Sequence, residues 1–232
     1  MARKMPIAVL ISGGGRTLKN ILDHIDAGKL DVVVKLVIAS SPKATGIKFA
    51  EEAGIPVKVF DRSEFMEPRV KGNKGMYEEL CVEYSNKIFD ECAKCHVRYV
   101  VLAGYMTILT IPEAFDQKVL NIHPSLLPAF GGRGFYGRFV HEAALKRGVK
   151  ITGCTVHFVN NDCDGGPIIL QKEVEVLEDD TVETLSDRVL YEAEFVAYPE
   201  ALQLLAENRI KVERVHDATK ERKVVRILPG KK

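Results

Sequence analysis

A chain of 232 residues is long enough to bury a sizeable core in one large domain or one and a half. Its 33 Lys and Arg against 32 Asp and Glu leave a formal charge of +1, so no global charge argues for nucleic acid or an anionic membrane as partner. No apolar run approaches the roughly 18 residues of a membrane span, and Met1-Ala2-Arg3-Lys4 runs into a short apolar strand rather than a signal-peptide core. A soluble, cytoplasmic protein is expected.

Residues 6–11 read as an apolar strand, and Ser12-Gly13-Gly14-Gly15-Arg16-Thr17 follows it. Apolar residues then fall at positions 18, 21, 22 and 25, the spacing of one helix face. Strand, glycine turn and helix open a parallel α/β sheet. Leu18 stands where a dinucleotide fingerprint has its third glycine, and no Gly-Lys-Ser or Gly-Lys-Thr follows, so both nucleotide readings weaken. What remains is a helix N-terminus whose backbone N–H groups favour an anion, best a phosphate monoester, with Arg16 at hand. A tight turn without ligand is the alternative reading of these glycines, and the less favoured one.

Residues 32–40 read as a second strand, 46–53 as a helix and 56–60 as a third strand. The alternation predicts an α/β fold: a doubly wound, mostly parallel twisted sheet, Rossmann-like, with helices on both faces. Residues 62–75 are polar and hold Pro68, Gly72 and Gly75, so a mobile loop is expected there. A helix over 76–95 follows. Its end, Cys92-Ala93-Lys94-Cys95-His96, spells a haem-attachment pattern. Tyr84, Ile88, Cys92 and Cys95 share one helix face, however, and packing is the preferred reading over haem or metal. Five cysteines, an odd number, argue against a disulfide framework.

An apolar strand over 99–103 and the short Val119-Leu120 lead to Asn121-Ile122-His123-Pro124-Ser125-Leu126-Leu127-Pro128. In extended backbone residues i and i+2 share a face, so Asn121 and His123 converge on one small polar atom. Pro124 and Pro128 fix φ and remove two donors, which predicts a rigid loop just past a strand end. Residues 131–137 are glycine-rich enough to move, and 140–147 read as a helix. Strands are expected over 155–159 and 168–176, with Asn160-Asn161-Asp162-Cys163-Asp164-Gly165-Gly166-Pro167 between them. Its glycines make a turn able to hold Asp164 inward, or simply a solvated one. His157 faces either that site or the core. Residues 181–208 read as helical with a break at Pro199, and 211–232 as a charged, partly disordered tail after a single domain over 1–210.

Asn, His and Asp together suggest chemistry without a covalent enzyme intermediate. Ser125 lacks a nucleophile-elbow context, and Cys163 is the weaker alternative nucleophile.

Three segments, residues 11–15, 121–128 and 164–169, together resemble the folate-dependent formyltransferases, and the resemblance runs along residues 7–207. It is nearest to the branch whose acceptor is glycinamide ribonucleotide, in purine synthesis. The resemblance implies that 10-formyltetrahydrofolate donates the formyl group, and that small molecules are the partners. Asn121 would bond the formyl oxygen, His123 would stabilise the oxyanion as imidazolium, and Asp164 would keep His123 charged and organise a proton-carrying water. Gly15, Arg16 and Thr17 match the loop that holds the substrate phosphate, and Glu194 a glutamate near the amine. Lys74, Met106, Thr107, Ile108 and Leu109 match folate contacts, as does Asn121.

The chemistry so implied needs no metal. A monomer or homodimer is expected. The loop at 130–140 is longer than the family's. The competing readings are formyl transfer to an amino sugar nucleotide, and a non-catalytic folate or phosphate binder, which has no need of Asn121, His123 and Asp164 together.

Overall fold

The apolar run after Lys4 forms strand β1 (Met5–Ile11), in which Pro6 alone is not fully buried. Such burial on both faces is the mark of a central parallel strand. In the computed structural model, which describes residues 4–66, 74–216 and 221–230, β1 pairs in parallel with β2 (Val32–Ala39) on one side and β4 (Tyr99–Leu102) on the other. The short β3 (Val57–Val59) runs parallel to β2. Helix α1 (Arg16–Asp26) connects β1 to β2, and α2 (Ile47–Glu52) connects β2 to β3. Helices α3 (Arg62–Met66) and α4 (Lys74–Lys94) precede β4.

The remaining strands are β5 (Val119–His123), β6 (Ile151–Phe158) and β7 (Ile168–Glu175), the last two antiparallel. The seven-stranded order is β3-β2-β1-β4-β5-β6-β7, the mostly parallel doubly wound sheet that the alternation predicts. The chain divides into two compact units, Met1–Ala27 with Val32–Leu120, and Gly28–Asp31 with Asn121–Lys232.

Several local expectations are corrected. Residues 62–66 are helical, because Asp61 accepts from the backbone N of Ser63 at 2.9 Å and from its hydroxyl at 2.6 Å, a helix-start pattern. Residues 67–73 of the expected loop lie outside the described residues. Asn121 and His123 lie on β5 itself and not in a loop beyond it; the two prolines brace the segment after the strand. Strand β6 begins at Ile151, four residues before the expected start.

Helix α5 (Arg138–Arg147) follows β5. After β7, Thr181 and Thr184 exchange side-chain-to-backbone bonds of 3.2 and 2.9 Å and so cap α6 (Val182–Arg188). A wide π turn, Val189–Glu194, separates α6 from α7 (Phe195–Ala206). Pro199 sits inside α7 and breaks nothing. The irregularity falls one turn earlier, where the widened helix changes the hydrogen-bond register. The stretch read as a charged tail forms the antiparallel ribbon β8 (Ile210–His216) and β9 (Glu221–Ile227), in which Glu213 pairs with Lys211 and Arg226.

The turn after β1 discriminates between its glycines. Gly15, the residue before α1, has φ 69°, and a Cβ there would meet the Gly46 Cα at 2.6 Å. A Cβ at Gly13 would meet nothing within 4 Å. Gly15→Ala is therefore expected to lower stability by about 1–3 kcal/mol, from left-handed strain plus a backbone clash, and Gly13→Ala by no more than about 0.5 kcal/mol. Denaturant unfolding of the two variants checks this, and equal midpoints would contradict it.

Candidate active site

Strand β5 places Asn121 and His123 on one face, and His123 is 3% exposed. Its Nε2 lies 2.8 Å from the carbonyl oxygen of Phe130. A carbonyl only accepts, so Nε2 carries the hydrogen and donates it. Nδ1 then faces Asp164, whose Oδ2 is 3.5 Å away. The same Oδ2 accepts from the backbone N of Gly132 at 2.9 Å. One three-residue segment thus holds the imidazole through a carbonyl and the carboxylate through an amide.

Asp164 reaches this position from the turn that joins β6 to β7. Its φ is 55°, in the left-handed region that aspartate tolerates better than most side chains. Two residues on, a Cβ at Gly166 would lie 1.7 Å from the carbonyl oxygen of Phe158, so only glycine lets the turn close against β6.

His157 faces the site and is also buried, so both sequence readings of it hold in part. Its Nδ1 donates to the Phe158 carbonyl at 2.9 Å. In the neutral ring Nε2 is then an acceptor, and Asn121 Nδ2 donates to it at 3.4 Å. Asp164 Oδ1 is 3.7 Å from that same Nε2. Burial pushes the His157 pKa below its ordinary value, so the ring stays neutral. One of the two Asn121 amide hydrogens is used in this way.

The segment after His123 is fixed by residues that sequence reading missed. Thr155, fully buried on β6, donates to the Ser125 carbonyl at 2.7 Å and accepts from Leu127 N at 3.0 Å. Gln171, its direct partner across β7, donates to Thr155 Oγ1 and to the Leu127 carbonyl, both at 3.0 Å. The Ser125 hydroxyl donates to the Ala129 carbonyl at 2.5 Å. A buried threonine facing a glutamine was the available signal, and it becomes visible only once the strand register is known.

In the first unit, the chain order reverses between β1 and β4, the kind of switch point where open α/β sheets bind ligands at their carboxyl ends. There the Ser12 hydroxyl accepts from Met106 N at 2.8 Å and from Ser40 Oγ at 2.7 Å, tying together the ends of three strands. Gly15 caps α1 without a side-chain hydrogen bond, and the first turn holds no acidic residue, so the N–H groups after it suit an anion. Arg16 is exposed and Thr17 buried.

The expected folate contacts divide. Met106 and Ile108 are exposed apolar side chains at 55% and 63%, whereas the Leu109 side chain belongs to the core and Thr107 is half-buried. Lys74 is the first residue of α4. In the second unit, Glu194 closes the π turn, half-buried and near Cys154 of β6, whose thiol burial pushes up to about 12 with help from that carboxylate. Cys92 is fully buried on α4 and its thiol is likewise pushed up to about 12 by burial, the behaviour of a packing residue.

Comparison with known proteins agrees with this geometry. The sequence profile of the formyl transferase family matches residues 5–202. The chain is 36% identical to the phosphoribosylglycinamide formyltransferase of Haemophilus influenzae over 89% of its own length and 90% of that protein's. It is 37% identical to the chloroplastic phosphoribosylglycinamide formyltransferase of Arabidopsis thaliana, over 90% of its length and 68% of that protein's. The crystal structure of glycinamide ribonucleotide transformylase 1 from Symbiobacterium toebii superposes with a TM-score of 0.80 at 38% identity, covering 99% of this chain and 96% of that one. Since the family match runs unbroken through the glycine turn and through Asn121, His123 and Asp164, the chain belongs to the formyl transferase family.

Proposed function

We propose that this enzyme transfers the formyl group of 10-formyltetrahydrofolate to the amine of 5-phosphoribosylglycinamide. The observation that carries the reading is the buried His123–Asp164 pair at 3.5 Å beside an amide donor, in a chain matching nearly whole relatives that are named for this step. The acceptor amine attacks the formyl carbon, and the carbonyl oxygen takes the negative charge of a tetrahedral intermediate. Asn121, with an N–H to spare beyond its contact with His157, donates to that oxygen. With Nε2–H held by Phe130, His123 presents Nδ1 as its reactive nitrogen. As imidazolium it stabilises the oxyanion, and Asp164 beside it takes part in moving the proton from the amine to the folate nitrogen. The bond from formyl carbon to that nitrogen then breaks. The nucleophile is the substrate's own amine, and no covalent enzyme intermediate is needed.

In the first unit, the N–H groups after Gly15 are assigned the acceptor's phosphate, with Arg16 and Thr17 beside them. Lys74, Met106, Thr107 and Ile108 are assigned to folate, as is the backbone at Leu109. In the second unit, Glu194 is assigned to the acceptor amine. The reading takes residues 1–210 as the formyltransferase domain, supported by the family match over 5–202. A cytoplasmic location, and a monomer or homodimer acting on small molecules alone, are part of the same proposal.

The direct test measures formyl transfer to 5-phosphoribosylglycinamide, to a panel of amino sugar nucleotides and to water. Turnover on the ribonucleotide alone is expected, and transfer only to an amino sugar or only to water would overturn the acceptor. His123→Ala and Asp164→Asn are expected to lower kcat by about 10²–10⁴-fold while the folate KM changes by less than about threefold, as for interactions realised in the transition state. Equal losses in binding and turnover would contradict these roles. A Cβ at Gly14 meets nothing within 4 Å, so Gly14→Asp tests the phosphate site without crowding the turn. It is expected to raise the acceptor's KM about tenfold, with Gly14→Asn close to the parent and the folate KM unchanged. An unchanged acceptor KM would remove the phosphate from this loop.

A further inference from the structure

Residues 103–112, which follow β4, form neither strand nor helix, yet side-chain hydroxyls of the first unit hold them at three points. Met106 N donates to Ser12 Oγ at 2.8 Å, and Thr110 N donates to Ser85 Oγ at 2.9 Å. Ser85 is fully buried on α4 and gives its own hydrogen to the Cys81 carbonyl at 2.7 Å. The third hold is a pair of phenols. Tyr84, the residue before Ser85, has its hydroxyl 3.1 Å from that of Tyr105.

The direction of this third hold follows from the partners. Tyr84 and Tyr105 are 2% and 8% exposed, so each hydroxyl needs a partner inside the protein. Tyr84 donates to the Phe60 carbonyl at 2.8 Å, and a carbonyl only accepts. Its one hydrogen is thereby engaged, so the bond between the phenols runs from Tyr105 to Tyr84. The Tyr105 oxygen is left to accept, and the Thr107 side chain bonds to it. Phe60 is itself fixed to the end of β2, because its N donates to the Ala39 carbonyl at 2.9 Å. A directed chain of hydrogen bonds therefore runs from residue 107 through two buried phenols into the sheet. Phenylalanine at 84 and 105 would bury the same rings with no polar group to satisfy.

Between these holds Met106 and Ile108 are apolar and more than half exposed. An irregular segment pinned by buried hydroxyls, with apolar side chains turned outward, has its shape before any ligand arrives, and that lowers the ordering cost of binding. We propose that Tyr105 is a positioning residue for folate: its hydroxyl, held by Tyr84, fixes residues 106–109 in the shape that receives 10-formyltetrahydrofolate. This rests on the assignment of that stretch to folate under the formyl-transfer reading. Tyr105 acts through the segment, and the chemistry at His123 and Asp164 does not depend on it.

Tyr105→Phe removes one hydroxyl and leaves Tyr84 its bond to Phe60. The free protein gives the first readout, amide hydrogen exchange at Met106 and Thr110, whose N–H groups are bonded to Ser12 and Ser85. Exchange at both is expected to quicken about fivefold or more in the variant, while the amides of β1 keep their protection. Tetrahydrofolate gives the second: its dissociation constant, measured by calorimetry without acceptor, should rise about three- to tenfold. In turnover the folate KM should rise with it, while kcat and the acceptor KM stay within about twofold. Tyr84→Phe breaks the same bond from the other side and should reproduce the loss of tetrahydrofolate affinity.

Parent-like tetrahydrofolate binding by either folded variant would overturn the proposal, and so would unchanged exchange at Met106 and Thr110. A loss shared equally by folate and acceptor would overturn it as well, since that marks a general loosening of the fold. A parent that binds no tetrahydrofolate would sink the functional reading and this proposal together, whereas a parent that binds it no better than the variants do would sink the proposal alone.

Discussion

The contact on which the site depends is the hold that residues 130–132 keep on His123 and Asp164. The Phe130 carbonyl fixes which nitrogen of His123 bears the hydrogen, and the Gly132 amide fixes the Asp164 carboxylate. Neither anchor is a side chain, so the geometry depends on the path of the backbone. That path is unusual at both ends, with φ of 52° at Phe130 and 55° at Asp164. A bulky residue in the left-handed region costs about 1 kcal/mol or more. Thr155 and Gln171 offset this by pinning the preceding segment through Ser125 and Leu127. The stretch 130–140 begins at this anchor. Further along, Phe135, Tyr136 and Phe139 are exposed, and the anchored positions lie at the start.

Each of the two units obeys a familiar rule of α/β proteins. In the first, strand ends at a switch point carry a glycine turn and an exposed apolar pair, Met106 and Ile108, held in register by the Ser12 hydroxyl. In the second, an antiparallel hairpin delivers a carboxylate from its turn to the end of a neighbouring strand. Gly15 and Gly166 share one physical reason for being glycine, which is a backbone approach that no Cβ survives. Gly13 and Gly14 are under no such constraint. A glycine run read from sequence therefore overstates the number of positions that the turn requires.

The same distinction separates what was legible in the sequence from what was not. Strands β1, β2 and β4 were legible because burial on both faces leaves an apolar run. The end of β5 was not, since Asn121 and His123 are polar and prolines follow, and polarity next to proline reads as loop. The start of β6 was hidden for a related reason: Thr152, Gly153 and Cys154 are buried, but their side chains are small and only weakly apolar. The β8–β9 ribbon was concealed by charges that pair across it. For the site, the roles proposed for Asn121, His123 and Asp164 come from residue type and resemblance, and the structure does bring the three side chains together. The Phe130 carbonyl and the Gly132 amide could not, because every residue has a carbonyl and nearly every residue an amide.

Burial also disfavours positive charge on two of the chain's histidines. Two buried histidines, His123 and His157, face the Asp164 carboxylate at 3.5 and 3.7 Å, and burial lowers the pKa of His157 as it does that of His141, to about 4 in the latter. His123 is the member with a carbonyl at one nitrogen and a carboxylate at the other, so both hydrogens of its imidazolium would face an acceptor. A second imidazolium beside it would repel the first and spoil its stabilisation of a developing oxyanion. A neutral His157 beside Asn121 and Asp164 fits the role proposed for His123. His157 makes its hydrogen bonds to the Phe158 carbonyl and to Asn121 without charge.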